Sequence, residues 1–164
     1  MWVNGPSMTP YLNEDYAMTH MQRDMVLVKS VRRGQKLERG MVVVFRSPRD
    51  PNKIAIKRII ALPGDRVTIR PGTPVPPAVP GKPTQIVPWN HVWVEGDADD
   101  SRHSLDSNVY GPISMNLITG RVVRVLRPRA RELRWEDWEV DKAGERQRAR
   151  VEKNAVKVHE PPTF

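Results

Sequence analysis

The chain contains no cysteine, which excludes a disulfide framework and any thiolate metal site, and leaves the redox compartment without a signature. Its four histidines, His20, His91, His103 and His159, stand at no His-x-x-x-His or comparable spacing, so no catalytic metal is expected. Aromatic residues make up only 6% of the chain. They do not interleave with the basic residues as they do on nucleic-acid platforms, so no nucleic-acid role is expected. The excess of 27 Lys and Arg over 19 Asp and Glu, a net charge of +8, favours anionic lipid surfaces or acidic partners instead. Long apolar runs are also missing: the longest is Met41-Val42-Val43-Val44-Phe45, far short of the 18 or so residues of a membrane span. Met1 to Pro6 has neither the charged start nor the apolar stretch of a leader.

What remains is a length of 164 residues, enough for one domain with a single core. Short β-branched runs bounded by Gly, Pro and Asp fill residues 1–126: Met25 to Lys29, Met41 to Arg46, Ile54 to Leu62, Arg66 to Arg70, His91 to Glu95, and Gly120 to Leu126. They predict a mainly β fold of antiparallel strands, folded into sheets or a small barrel. Residues 71–88 hold seven of the sixteen prolines and predict a stiff insertion between strands, because proline cannot donate to a ladder. From Arg127 to the end the apolar alternation stops, and 127–164 reads as a charged tail, helical or disordered. Trp135 and Trp138, three apart, belong on one helical face there.

Three segments carry chemistry. Ser7 lies in Gly5-Pro6-Ser7-Met8-Thr9-Pro10, Lys57 lies within Ile54-Ala55-Ile56-Lys57-Arg58-Ile59-Ile60-Ala61, and a third segment, Gly96 to Asn108, supplies Ser104 and Asp106. A serine hydroxyl needs a base to take its proton, and a lysine can serve if it is neutral at working pH. That requires lowering its pKa of about 10.4 by roughly two to three units, or about 3 to 4 kcal/mol. Strand alternation puts Ala55 and Ile59 on the same face as Lys57 and Arg58 on the other. Burial among apolar neighbours is therefore the expected source of the shift.

These residues resemble the type I signal peptidases, whose hallmarks are a Ser-Met pair, a Lys-Arg pair on a strand and a Gly-Asp box ending in Ser-x-Asp-Ser. The resemblance extends to a subfamily, subunit 2 of the mitochondrial inner membrane peptidase. It is carried by Ile56-Lys57-Arg58-Ile59-Ile60-Ala61-Leu62-Pro63-Gly64-Asp65, His91-Val92-Trp93-Val94-Glu95-Gly96-Asp97 and Ser104-Leu105-Asp106-Ser107-Asn108-Val109-Tyr110-Gly111-Pro112-Ile113. It covers roughly residues 3 to 126. The resemblance implies a signal peptidase-like catalytic domain over 1–126, with Ser7 as nucleophile, Lys57 as general base, Ser104 as the hydroxyl that orients the lysine and Asp106 as a structural carboxylate. Gly5, Pro6 and Ala55 are the expected substrate contacts, and Gly5 stands where some relatives place a second oxyanion donor. No cofactor is implied.

The activity so implied is removal of leader peptides from membrane-tethered precursors, at the mitochondrial inner membrane and facing the intermembrane space. The implied partners are those precursors and the other inner membrane peptidase subunit, with the membrane reached through an N-terminal helix preceding this stretch or through that subunit. Two other readings compete. One is a basic β-barrel binding or scaffold module without turnover, in which Ser7 and Lys57 are incidental; the other is a self-cleaving repressor-type Ser/Lys protease, which would need a DNA-binding domain before the serine.

Overall fold

Val42-Val43-Val44-Phe45 has no polar residue on either side of its alternation, so it can only be an interior strand with both faces covered. It is one, and the chain winds around it. The computed structural model describes residues 1–19, 23–73 and 83–163; His20 and the middle of the Pro-rich stretch, residues 74–82, lie outside the described residues. The strands are β1 Met25–Ser30, β2 Val42–Arg46, β3 Ile54–Ala61, β4 Arg66–Thr68, β5 Thr84–Ile86, β6 His91–Glu95, β7 Ile113–Ser114, β8 Ile118–Arg127, β9 Arg131–Glu132 and β10 Val151–Glu152. All their pairings are antiparallel. The larger sheet runs β1-β8-β2-β3-β6-β7 with β9 added to β8, and a second sheet runs β10-β4-β5. The mainly β expectation holds.

Alternation along β2 divides the interior. Val42 and Val44 pack with Met8, Leu12, Val26 and Ile56, whereas Val43 and Phe45 pack with Ile59, Val92 and Val94. A third cluster, around Trp93, Ile60 and Val67, lies toward the smaller sheet. Fully burying side chains of this size stabilises by roughly 1.5–3 kcal/mol each, so the central strands are held rigidly where the site needs them. β3 ends at Pro63-Gly64-Asp65, where Gly64 takes φ +91°. Asp65, fully buried, accepts there from the Leu62 N–H at 2.8 Å and the Asn154 N–H at 2.9 Å, and pairs with Arg39 at 2.8 Å.

Two elements depart from the sequence reading. The far end of the Pro-rich insertion is strand, not loop: β5 pairs with β4 in register Val67 to Gln85. The C-terminal stretch is not one solvated helix either. It forms a short 3-10 helix Trp135–Glu139, a second turn Lys142–Gly144, the helix Glu145–Arg148 and β10, and it lies on the body of the protein. A 3-10 helix stacks residues three apart on one side, and both indoles turn inward. Trp135 packs beside the Phe45 cluster and Trp138 enters the Trp93 cluster. Only glycine fits beneath them, since a Cβ on Gly40, at φ +90°, would lie 2.3 Å from the Trp135 carbonyl oxygen.

Candidate active site

Ser7 is mounted on a turn whose neighbours are fixed from inside. Gly5 takes φ +81°, and the Thr9 N–H and hydroxyl both donate to the Pro6 carbonyl, at 3.0 and 2.7 Å. Met8 is 1% exposed in the core next to Ser7. Buried Asn13 latches the whole run: its Nδ2 donates to the Val3 and Gly5 carbonyls at 3.1 and 3.0 Å, and its Oδ1 accepts from the Asp24 N–H at 2.7 Å. No sequence signal pointed to Asn13 or Asp24. Among the described residues nothing accepts from the Ser7 N–H, which leaves that group free to face a substrate oxygen.

Lys57 Nζ lies 2.7 Å from Ser7 Oγ, across 50 residues of sequence. The side chain is 5% exposed. Ala55 and Ile59, two residues away on either side, pack in the Phe45 cluster, while Arg58 stacks over the Tyr11 ring with 4.2 Å to its centroid. Burial brings the Lys57 ammonium down to about 8, against the opposing pull of Asp106 and then Asp97. This is the direction and size that a lysine base requires.

The third segment closes the site from the side of β6. Asp106 caps the helix Ser107–Tyr110 and collects four donors: Ser104 Oγ at 2.6 Å and the Gly96 N–H at 3.0 Å on Oδ2, and the Asn108 N–H and Nδ2 at 3.1 and 3.0 Å on Oδ1. A carboxylate that accepts so many hydrogen bonds is fixed in orientation. The Ser104 hydroxyl therefore donates to Asp106 and makes no hydrogen bond to Lys57; the sequence reading had assigned it the lysine. Gly96 is wedged so tightly that a Cβ would come within 2.3 Å of Ser104 Oγ and 2.4 Å of the Ser7 carbonyl oxygen. The Ala98 N–H donates to that same oxygen at 3.1 Å. Asp97 pairs with Arg58 at 2.8 Å, and Arg58 also donates to the Gly40 carbonyl at 2.7 Å.

The remaining expected contacts, Gly5, Pro6 and Ala55, lie beside the pair, the first two in the Ser7 turn and Ala55 two residues before Lys57 on β3. The β6 register on β3 begins at Arg58, opposite Glu95. Among the described residues, Ile54 to Lys57 have a partner strand only on the β2 side. Two cavities flank the site without being lined by Ser7 or Lys57. One of about 250 Å³ borders Arg70, Ser104, Asp106 and Asn108, and another of about 520 Å³ borders Tyr11, Arg58, Asp97 and Gln147. Among the described residues, no group of three or more His, Asp or Glu side chains is placed to hold a metal ion.

A family model described as signal peptidase, peptidase S26, matches residues 2–75, a stretch that contains Ser7 and Lys57. The chain is similar to mitochondrial inner membrane protease subunit 2 of Schizosaccharomyces pombe, 39% identical over 79% of this chain and 64% of that protein. It is likewise similar to subunit 2 of Saccharomyces cerevisiae, at 35% over 79% and 68%. Subunit 2 of Mus musculus matches at 37% over 82% of this chain and 70% of that protein. The chain thus spans about two thirds of the length of these relatives. With 35–39% identity to these relatives over 79–82% of its length, and with the family model on residues 2–75, the chain belongs to the signal peptidase family, peptidase S26.

Proposed function

We propose that the chain is a serine endopeptidase in which Ser7 is the nucleophile and Lys57 the general base. The observation that carries this reading is the 2.7 Å contact between Lys57 Nζ and Ser7 Oγ in a site buried enough to lower the lysine to about 8. Neutral Lys57 takes the Ser7 proton as Oγ attacks the scissile carbonyl carbon. The Ser7 N–H stabilises the resulting oxyanion. The Lys57 ammonium then returns the proton to the leaving amine, and a water activated by Lys57 hydrolyses the acyl-serine. Asp106, through Ser104 and the Gly96 N–H, holds the wall against which the pair is set.

The substrate of this reading is an extended leader peptide laid along the open edge of Ile54 to Lys57, next to Gly5, Pro6 and Ala55. Two features support it: that edge ends at the lysine, and Ser7 stands across from it. In this reading the chain processes precursor proteins, faces the intermembrane space and pairs with the other protease subunit; the relatives' names, mitochondrial inner membrane protease subunits 2 and 1, support the inner membrane and a second subunit. Among the described residues no helix is long and apolar enough to cross a membrane, so membrane contact in this reading comes from a further segment or from the partner. The test is cleavage of a precursor by the wild-type chain, Ser7→Ala and Lys57→Ala. Both variants should fold and lose turnover, and the double variant should match either single one because the two groups act as a unit. Retention of more than about a tenth of the turnover in Lys57→Ala would remove the lysine from its role.

A further inference from the structure

Two polar side chains of the C-terminal segment, buried Gln147 and partly buried Arg150, touch the site from behind. Gln147 Oε1 accepts from Trp138 Nε1 at 2.9 Å, and its Nε2 faces the Gly96 carbonyl oxygen at 3.3 Å and Asp97 Oδ1 at 3.4 Å. Arg150 forks onto Glu95, with 2.9 Å to Oε1 and 2.5 Å to Oε2. Glu95 is fully buried and also takes Trp93 Nε1 at 3.0 Å, Asn108 Nδ2 at 2.9 Å and, at 3.4 Å, the Arg70 guanidinium. That same Asn108 Nδ2 reaches Asp106 Oδ1, and Asp106 Oδ2 holds the Gly96 N–H. The Gly96 residue is thus gripped at its carbonyl by Gln147 and at its N–H by a chain that runs back to Arg150. It has no slack on the other side, where Ser104 and the Ser7 carbonyl close on it.

We propose that Gln147 and Arg150 are positioning residues for the Ser7–Lys57 pair, acting through Gly96–Asp97 and through Glu95–Asn108–Asp106; the proposal rests on the Ser/Lys reading above. The charges facing Lys57 are few. Asp97 and Asp106 come from the Gly96–Asn108 segment, Arg58 is committed to Asp97, and Ser7 is the contact from the N-terminal turn. Gln147 donates to one of those carboxylates, and the Arg150–Glu95 pair borders the other through Asn108. Removing the donor of Gln147, or the cation of Arg150, leaves more uncompensated negative charge near Lys57. That favours its ammonium form, and it also loosens the wall behind the nucleophile.

The experiment uses the full chain and an internally quenched peptide with alanine on the acyl side of its scissile bond. Gln147→Met keeps the bulk and removes the donor; Arg150→Gln removes the cation; Arg150→Lys keeps it. The first two should lower kcat by about tenfold with KM within about twofold, and should move the limb of the pH–rate profile upward by about half a unit. Arg150→Lys should return the limb to its wild-type position. Should Arg150→Gln fail to fold, Gln147→Met, which changes no charge, decides alone. Wild-type kcat and an unmoved limb in the folded variants, with Ser7→Ala and Lys57→Ala inactive, would overturn the positioning role and leave the Ser/Lys reading standing. Turnover by Ser7→Ala would overturn both.

Discussion

Lys57→Met keeps the length of the side chain and removes its charge. In the wild-type protein, burial lowers the lysine from 10.5 to about 8, so below pH 8 the folded state carries an ammonium that is worth about 3 kcal/mol less there than in the unfolded chain. The variant is relieved of that cost and loses the hydrogen bond to Ser7, worth about 1 kcal/mol. A net gain of about 2 kcal/mol at pH 7 is therefore expected, together with complete loss of cleavage. The gain shrinks as pH rises. Between about 8 and 10.5 the wild-type native state is already deprotonated at Lys57 while the unfolded state still binds the proton, so wild-type stability rises across that window and the gap closes. Urea unfolding of both proteins at pH 7 and at pH 9.5 measures it. A variant less stable than wild type at pH 7, or a stability difference equal at the two pH values, would refute the idea that burial tunes this lysine.

Other outcomes follow from the same geometry. Gly96→Ala, which forces a Cβ to within 2.3 Å of Ser104 Oγ and 2.4 Å of the Ser7 carbonyl, should lower kcat by about a hundredfold while the protein still folds, as single-turnover rates would show. Asp106→Asn turns an amide donor toward a ring of donors, Ser104, Gly96 and Asn108, and should cost about 1–3 kcal/mol in denaturant unfolding. It also removes a charge that raises Lys57, so its remaining activity should have its pH limb below that of wild type. Ser104→Ala removes a donor to Asp106 rather than to the lysine. It should reduce kcat with a smaller limb shift than Asp106→Asn, which pH–rate profiles of both variants compare directly.

The parts of the site that could be read from sequence are those written in local pattern. Lys57 sits in a β-branched run whose alternation already placed it beside Ala55 and Ile59, and Ser104 and Asp106 sit two apart, so their contact needs only a turn. The partners that fix them are remote. Arg150 reaches Glu95 across 55 residues and Gln147 reaches Gly96 across 51, and nothing in the charged composition of the last 38 residues distinguishes a docked segment from a solvated one. The direction of the Ser104 hydroxyl was equally illegible, because a serine near both a lysine and a carboxylate can satisfy either; the structure gives it to Asp106. β5 was hidden because Pro83 and Pro88 bracket Thr84-Gln85-Ile86, and prolines at strand ends cost no ladder bond.

The most direct measurement of the central claim is the rate at which an acylating peptide or β-lactam labels Ser7 as a function of pH, read by mass spectrometry of the modified peptide in the wild-type protein and in Lys57→Met. The labelled residue should be Ser7, its rate should rise through a half-point near the Lys57 value of about 8, and Lys57→Met should show neither the label nor the limb. Labelling at another serine, or a Ser7 rate in Lys57→Met that keeps the wild-type limb, would contradict the assignment of Lys57 as the base that activates Ser7.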